Sequence, residues 1–248
     1  VNEGLPKPLW SEELRVKAYE ADHTGSLKLH SLFNELSDVA GNHAAHLGVG
    51  YRELLQAGYF WVLSRIKVRI FRMPAMGENV LLETWPKGVE RLFALRDFRM
   101  TDREGATLVA ATSAWLLLDA GRSRPHKIEV LPYRIPLREG VDAIPGLPEK
   151  LTPVEGLELK YERKVMPSDL DVNNHVNNAE YVRWIADCAG CDNPGTIASI
   201  QVNYLDEALL GDTIELRSGK DEGQFLRVEG VNRSGGRTVF QARIGWRG

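Results

Sequence analysis

The sequence predicts an α+β fold in which one unit, a long central helix wrapped by an antiparallel sheet, occurs twice. Three observations predict it. A helical stripe of Leu32, Phe33, Leu36, Val39, Ala40 and His43 is followed by runs of period-two apolar residues, so strands follow a helix instead of alternating with helices. The same order recurs after a stretch from Pro125 to Pro153 that holds six of the 12 prolines, a poor helix or central strand and a good connection. Residues also match at constant spacing. Ile66, Val68, Ile70 and Gly77 fall onto Ile200, Val202, Tyr204 and Gly211 at an offset of 134, and Gly105, Thr107 and Trp115 onto Gly236, Thr238 and Trp246 at 131. Periods this long indicate duplicated domains, not a solenoid.

Taken in order, Leu14 to Glu20 reads as a short strand and Asp22-His23-Thr24-Gly25 as a turn. The first helix ends near Gly48, and a shorter helical piece from Tyr51 to Ala57 stops at Gly58. Trp61 to Ile70 then alternates, with Arg65, Lys67 and Arg69 interleaved, and strands follow at Asn79–Trp85, Leu92–Met100 and Thr107–Leu118. The second half offers a strand at Tyr161–Met166, a helix from Asn178 to about Ala189, and strands at Ser199–Leu205, Thr213–Arg217, Gln224–Val231 and Thr238–Trp246.

A chain of 248 residues is long enough for a sizeable core, and 43% hydrophobic with 26% charged residues is ordinary for a globular protein. A net charge of -3 argues against nucleic acid as a partner. There is no apolar run of about 18 residues for a membrane span and no apolar core for a signal peptide, so a cytoplasmic location is the default expectation. The absent initiator Met suggests a processed or trimmed start. Cys188 and Cys191, alone at a helix end, read as packing and not as a redox pair or metal site.

The chemistry concentrates in Asp169-Leu170-Asp171-Val172-Asn173-Asn174-His175-Val176-Asn177-Asn178, before Ala179-Glu180-Tyr181. Carboxylate, amide and imidazole stand at alternate positions, just ahead of a helix for which Asn177 and Glu180 have capping-box spacing. Unpaired N–H groups at such a helix start would stabilise a carbonyl oxygen that gains charge, as acyl transfer requires. At the corresponding place the first half has, roughly, Thr24 to Lys28, without a carboxylate or His in the same pattern. Glu207, after Tyr204, is the second asymmetric position: its partner at offset 134 is Met73.

The Asp-x-Asn-x-His-Val-Asn-Asn-x-x-Tyr string resembles the active-site loop of hotdog-fold thioesterases, in particular the bacterial and plant acyl-acyl carrier protein thioesterases. Tyr204 with Glu207 matches that family's spacing, although Ala208 stands where the plant enzymes have Cys, which favours a carboxylate mechanism. The resemblance implies a tandem double hotdog: residues 1–124 as an acyl-binding domain, 125–154 as a linker and 155–248 as the catalytic domain. It implies a catalytic set of Asp171, Asn173, His175 and Glu207. Substrate contacts are expected at Asn177, Asn178 and Trp61, with no metal or organic cofactor. The expected partner is acyl carrier protein bearing a phosphopantetheine-linked chain, docked on Arg65, Lys67, Arg69 and Arg72 or on Arg163, Lys164 and Arg183. The assembly is expected to be a monomer that is its own pseudo-dimer, or a homodimer. The competing readings are an acyl-CoA thioesterase, a non-catalytic acyl- or carrier-binding module and, more remotely, a dehydratase.

Overall fold

The computed structural model describes residues 7–131, 134–190, 197–221, 223 and 225–247. In the first half β1 (Trp10–Arg15) leads to α1 (Leu29–His46) and α2 (Tyr51–Gln56). The strands β2 (Tyr59–Ile70), β3 (Asn79–Glu90), β4 (Phe93–Thr101), β5 (Thr107–Asp119) and the short β6 (Pro125–His126) follow. The second half repeats the order with β7 (Glu158–Lys164), α3 (Asn178–Cys188), β8 (Ile197–Tyr204), β9 (Thr213–Lys220), β10 (Leu226–Asn232) and β11 (Thr238–Trp246). The strand expected over Leu14–Glu20 is β1, which ends at Arg15, followed by a 3-10 turn at Ala18–Glu20. The chain bends there because Lys17 donates its backbone N–H to the Glu20 carboxylate at 2.7 Å.

All strands join one sheet in the order β1-β3-β4-β5-β2-β8-β11-β10-β9-β7, with β6 on β5. Read outward from the centre, the two halves are the same. β2 and β8 pair antiparallel from Arg65↔Asn203 to Arg69↔Ser199, so each covers the edge the other would expose. The outer edges, β1 (Trp-Ser-Glu-Glu-Leu-Arg) and β7 (Glu-Leu-Lys-Tyr-Glu-Arg-Lys), carry charges that discourage further strand addition. The register supports the duplication read from spacing, since Ile66 faces Ser113 as Ile200 faces Ile244. Gly77 and Gly211 share left-handed φ values of 82° and 86° at matching turns.

Both helices lie in contact on one face of the sheet. From α1, Leu29, Leu32, Phe33, Leu36, Val39, Ala40 and His43 are buried; from α3, Ala179, Tyr181, Val182, Trp184, Ile185 and Cys188. This is the i, i+3, i+4 stripe expected of helices that bury one side, and each fully buried large side chain contributes about 1.5–3 kcal/mol. Cys188 packs in this core, and Cys191 lies outside the described residues. The proline-rich connection crosses the opposite face, where its carbonyls accept from the sheet: Val141 from Trp85 Nε1 at 2.9 Å, Pro148 from Arg65 at 3.1 Å and Glu149 from Gln201 at 2.7 Å. There too the buried Lys87 Nζ meets the fully buried Asp97 at 3.1 Å.

Asp169, fully buried, ties the second half's loop to its helix. One carboxylate oxygen meets Arg163 at 3.1 Å and Arg183 at 3.0 Å, the other accepts from Met166 N at 2.8 Å, and its carbonyl accepts from Asn177 N at 2.9 Å. Removing the acid leaves two half-buried guanidinium groups facing each other. Asp169→Ala is expected to lower the unfolding free energy by about 3 kcal/mol, read from urea denaturation; a loss within about 0.5 kcal/mol, as for an ordinary surface change, would contradict it.

Candidate active site

The expected residues Asp171, Asn173 and His175 lie in the loop between the 3-10 turn Pro167–Asp169 and α3. Asp171 N–H donates to the His175 carbonyl at 2.8 Å, closing the loop on itself. Asp171 Oδ1 accepts from Asn173 N at 2.8 Å and from His175 N at 3.3 Å. Asn174 between them takes a left-handed φ of 60°, which Asn tolerates better than most residues. Val176 N–H then donates to the Ala208 carbonyl at 3.1 Å, and His175 bridges to Leu209, so the loop is docked on the turn after β8. That docking brings Glu207 to His175: Nε2 and Oε2 are 3.0 Å apart, with both side chains open to solvent.

The turn carrying Glu207 is itself braced. Ala208 N–H donates to the Tyr181 hydroxyl at 3.1 Å, and Glu207 N–H to Asp206 Oδ1 at 3.0 Å, while Asp206 pairs with Arg237 at 2.9 Å. Burial pushes the Tyr181 hydroxyl pKa up, so it stays protonated. The sequence placed Tyr181 only as the last residue of the loop motif; that its hydroxyl braces this turn was signalled by a hydroxyl on a buried helix face, which needs a partner.

Asn177 caps α3, its Oδ1 accepting from Ala179 N at 2.9 Å. The full capping box does not form, because the Glu180 carboxylate pairs with Arg183 instead of reaching back. Asn178 offers its carbonyl to the Tyr204 hydroxyl at 3.1 Å. Trp61 is not at this loop. It lines an apolar cavity of about 200 Å³ in the first half, with Ala40, Ala44, Trp115, Ile135 and Leu137, and its indole N–H donates to Val49 O at 3.0 Å. None of the residues from Asp171 to Asn178, nor Glu207, lines that cavity.

The match of Asp171 to Thr24 in the first half is corrected by the backbone. Asp22 N–H donates to Ser26 O at 2.8 Å, and Asp22 Oδ1 accepts from Thr24 N at 2.8 Å and Ser26 N at 3.2 Å. Gly25 has the left-handed φ of Asn174, at 81°. Ser26 bridges to Ala75 as His175 does to Leu209. Asp22, Thr24 and Ser26 are therefore the counterparts of Asp171, Asn173 and His175, so the first half keeps the carboxylate and lacks the imidazole. The sequence match of Asp171 to Thr24 (171 − 24 = 147) was two residues out, since the hydrogen bonds align Asp171 with Asp22 (171 − 22 = 149). Met73, opposite Glu207, is buried. Burial opposes ionisation of Asp22, yet its bonds from Thr24 and Ser26 hold its pKa below the ordinary value.

Both candidate docking patches are largely spent on intramolecular partners. Arg65 bonds Pro148 O, Lys67 lies 3.5 Å from Glu149, Arg72 pairs with Glu78 at 2.7 Å, and Arg163 and Arg183 converge on Asp169.

The fold is shared with solved acyl-ACP thioesterases. An acyl-ACP thioesterase from Bacteroides thetaiotaomicron superposes with a TM-score of 0.82 at 23% identity, over 97% of this chain and 98% of that one. The 12:0-ACP thioesterase from Umbellularia californica gives 0.79 at 23% identity, over 98% and 99%. At the level of sequence, the acyl-ACP thioesterase N-terminal domain matches residues 7–130 and the C-terminal domain residues 154–248, so the chain belongs to the acyl-ACP thioesterase family. The palmitoyl-acyl carrier protein thioesterase, chloroplastic, of Arabidopsis thaliana is 30% identical over 76% of this chain and 48% of its own length. The chloroplastic dodecanoyl-[acyl-carrier-protein] hydrolase of Cinnamomum camphora is 26% identical over 94% and 66%. The chain thus spans about half the length of the first of these relatives. Among the described residues no helix is long and apolar enough to cross a membrane.

If Asp171 and Asp22 brace the same turn, deleting either should cost the same. Asp171→Ala and Asp22→Ala are each expected to destabilise by about 1–2 kcal/mol, and Asp171→Asn, which keeps Oδ1, by under about 1 kcal/mol. Urea denaturation of the three variants checks this; an Asp171→Asn as damaged as Asp171→Ala would contradict it.

Proposed function

We propose that this chain hydrolyses fatty acyl thioesters of acyl carrier protein to free fatty acid and carrier thiol, at the His175–Glu207 pair. The observation that carries the reading is the 3.0 Å approach of His175 Nε2 to Glu207 Oε2 beside the start of α3, in one half only. Family membership supplies the substrate class. On this reading the fold is a tandem double hotdog. Residues 155–248 form the catalytic domain, 125–154 the connection, and 1–124 the domain that holds the acyl chain, with Trp61 in the wall of its cavity. The molecule is a monomer whose two halves stand in for a dimer, or a homodimer of such chains.

Glu207 and His175 together take a proton from water, and the hydroxide adds to the thioester carbonyl. The tetrahedral oxyanion sits at the positive end of the α3 dipole, with the Asn173 amide orienting water or carbonyl. The C–S bond then breaks. A thiol with pKa near 8.5 is a good leaving group, and His175 returns the proton to it. Asp171 contributes by holding His175 and Asn173 in place, since its Oδ1 already accepts two backbone N–H groups. Ala208 follows Glu207 and offers no thiol, so the route is through a carboxylate.

His175→Ala and Glu207→Gln are each expected to cut hydrolysis of acyl-carrier substrate by roughly 100-fold or more while leaving the melting temperature unchanged. Release of free thiol from matched acyl-carrier and acyl-CoA esters is the decisive assay. Preference for the CoA ester would replace the carrier reading with the acyl-CoA one, and no turnover of either would leave a binding module. Ala44→Phe, which fills part of the Trp61 cavity, is expected to slow long-chain substrates by a larger factor than short ones. An equal effect across chain lengths would count against the first half as the chain holder.

A further inference from the structure

The cavity beside Trp61 is lined mostly by apolar residues, with the hydroxyls of Ser37 and Tyr51, and Arg96 of β4 is the one charged residue among the described residues that line it. Arg96 shares a sheet face with the buried Phe98 and Met100, so it points under α1 toward the core. One guanidinium nitrogen donates to His43 Nδ1 at 3.0 Å and to Thr84 Oγ1 at 3.1 Å. His43 is fully buried and its Nε2 donates to the Lys7 carbonyl at 3.1 Å, which fixes Nδ1 as the unprotonated acceptor. Burial and the neighbouring Arg96 push its pKa down to about 4, so it is neutral at pH 7 and gives Arg96 no counter-charge. Asp97, the next residue, faces the other side of the sheet, where Lys87 and Ala143 N occupy it. Arg96 itself is lowered to about 10 by burial alone, with no carboxylate contributing, and it stays charged. The second half places an apolar residue here: Arg96 faces Ser113 as Leu226 faces Ile244. A charge that one copy carries and the other does without is not needed to build the sheet.

We propose that the first-half cavity binds the carboxylate of a free aliphatic acid, head toward the Arg96 guanidinium and chain along Trp61, Ala40, Ala44 and Trp115. A guanidinium without a carboxylate partner among the described residues, in a largely apolar wall, is a costly arrangement that a bound carboxylate relieves by charge-assisted hydrogen bonds. At about 200 Å³ the cavity is below the roughly 300–1,000 Å³ of common ligand pockets, which suits a slim chain. Resting on the proposed reaction, such an acid is the chemical class of its product, and binding here competes with the acyl chain of the next substrate. The binding itself does not depend on catalysis.

The test is calorimetric titration of the full chain at pH 7 with decanoate and with decanol. Decanoate is expected to bind at least about 10-fold tighter than decanol, the scale of a charge-assisted hydrogen bond. Arg96→Met, an apolar side chain in an apolar wall, is expected to erase that difference, and Ala44→Phe to weaken both ligands together. Equal affinities in the wild type overturn the proposal without any variant, as does a preference that survives Arg96→Met. Decanoate binding untouched by Ala44→Phe places the acid elsewhere and overturns it as well. The two readings fail separately: acid binding that persists in a chain without hydrolytic activity refutes only the thioesterase, and hydrolysis without carboxylate preference refutes only this site.

Discussion

The antiparallel pairing of β2 with β8 is the constraint on which the remaining structure depends. Each half alone would end in an unpaired strand at the sheet's centre, rich in apolar residues and open to association. Joined from Arg65↔Asn203 to Arg69↔Ser199, these strands make one sheet, and the fully buried Val68 and Ile200 face each other across the seam. The seam also sets the helices side by side on one face, so α1 and α3 bury their stripes against a common core. The connection between halves then has only the opposite face to cross, and it is held there by sheet side chains donating to its carbonyls.

Within that frame the two copies have diverged at side chains while keeping their backbone devices. Asp22 and Asp171 accept the same pair of N–H groups, Gly25 and Asn174 both take left-handed φ, and Gly77 and Gly211 turn alike. These positions are tied to the path of the chain, and a change in either copy costs folding energy. Ser26 against His175, Met73 against Glu207 and Arg96 against Leu226 are instead free of the backbone, and there the copies differ. The imidazole–carboxylate pair of one half and the guanidinium beside the cavity of the other are both products of this freedom.

Charge behaves in the same way. Arg163 and Arg183 look, in the linear chain, like a basic surface beside the active loop. In the fold they converge on Asp169, and Arg183 also holds Glu180. Their charge is spent internally, and what they provide is a rigid base from which Asp169 fixes the start of α3. Exposed cations are mostly solvated or paired, so composition alone overstates the surface field.

The sequence by itself determined the α+β class, the duplication, the long helix of each half and the loop that carries Asp171, Asn173 and His175. Such features follow from local rules: apolar periodicity, Gly and Asn at turns, and spacing preserved between copies. It did not determine that Asp22 answers to Asp171, because the loops and helices differ in length and the offset changes from 134 to 149 across them. Nor did it show that Glu207 reaches His175, that Tyr181 braces the turn between them, or that Arg96 stands under α1 without a carboxylate partner among the described residues. Each of those is a contact between residues far apart in the chain, set by how the strands register and the helices pack. Distance along the sequence carries no information about such contacts until the sheet has closed.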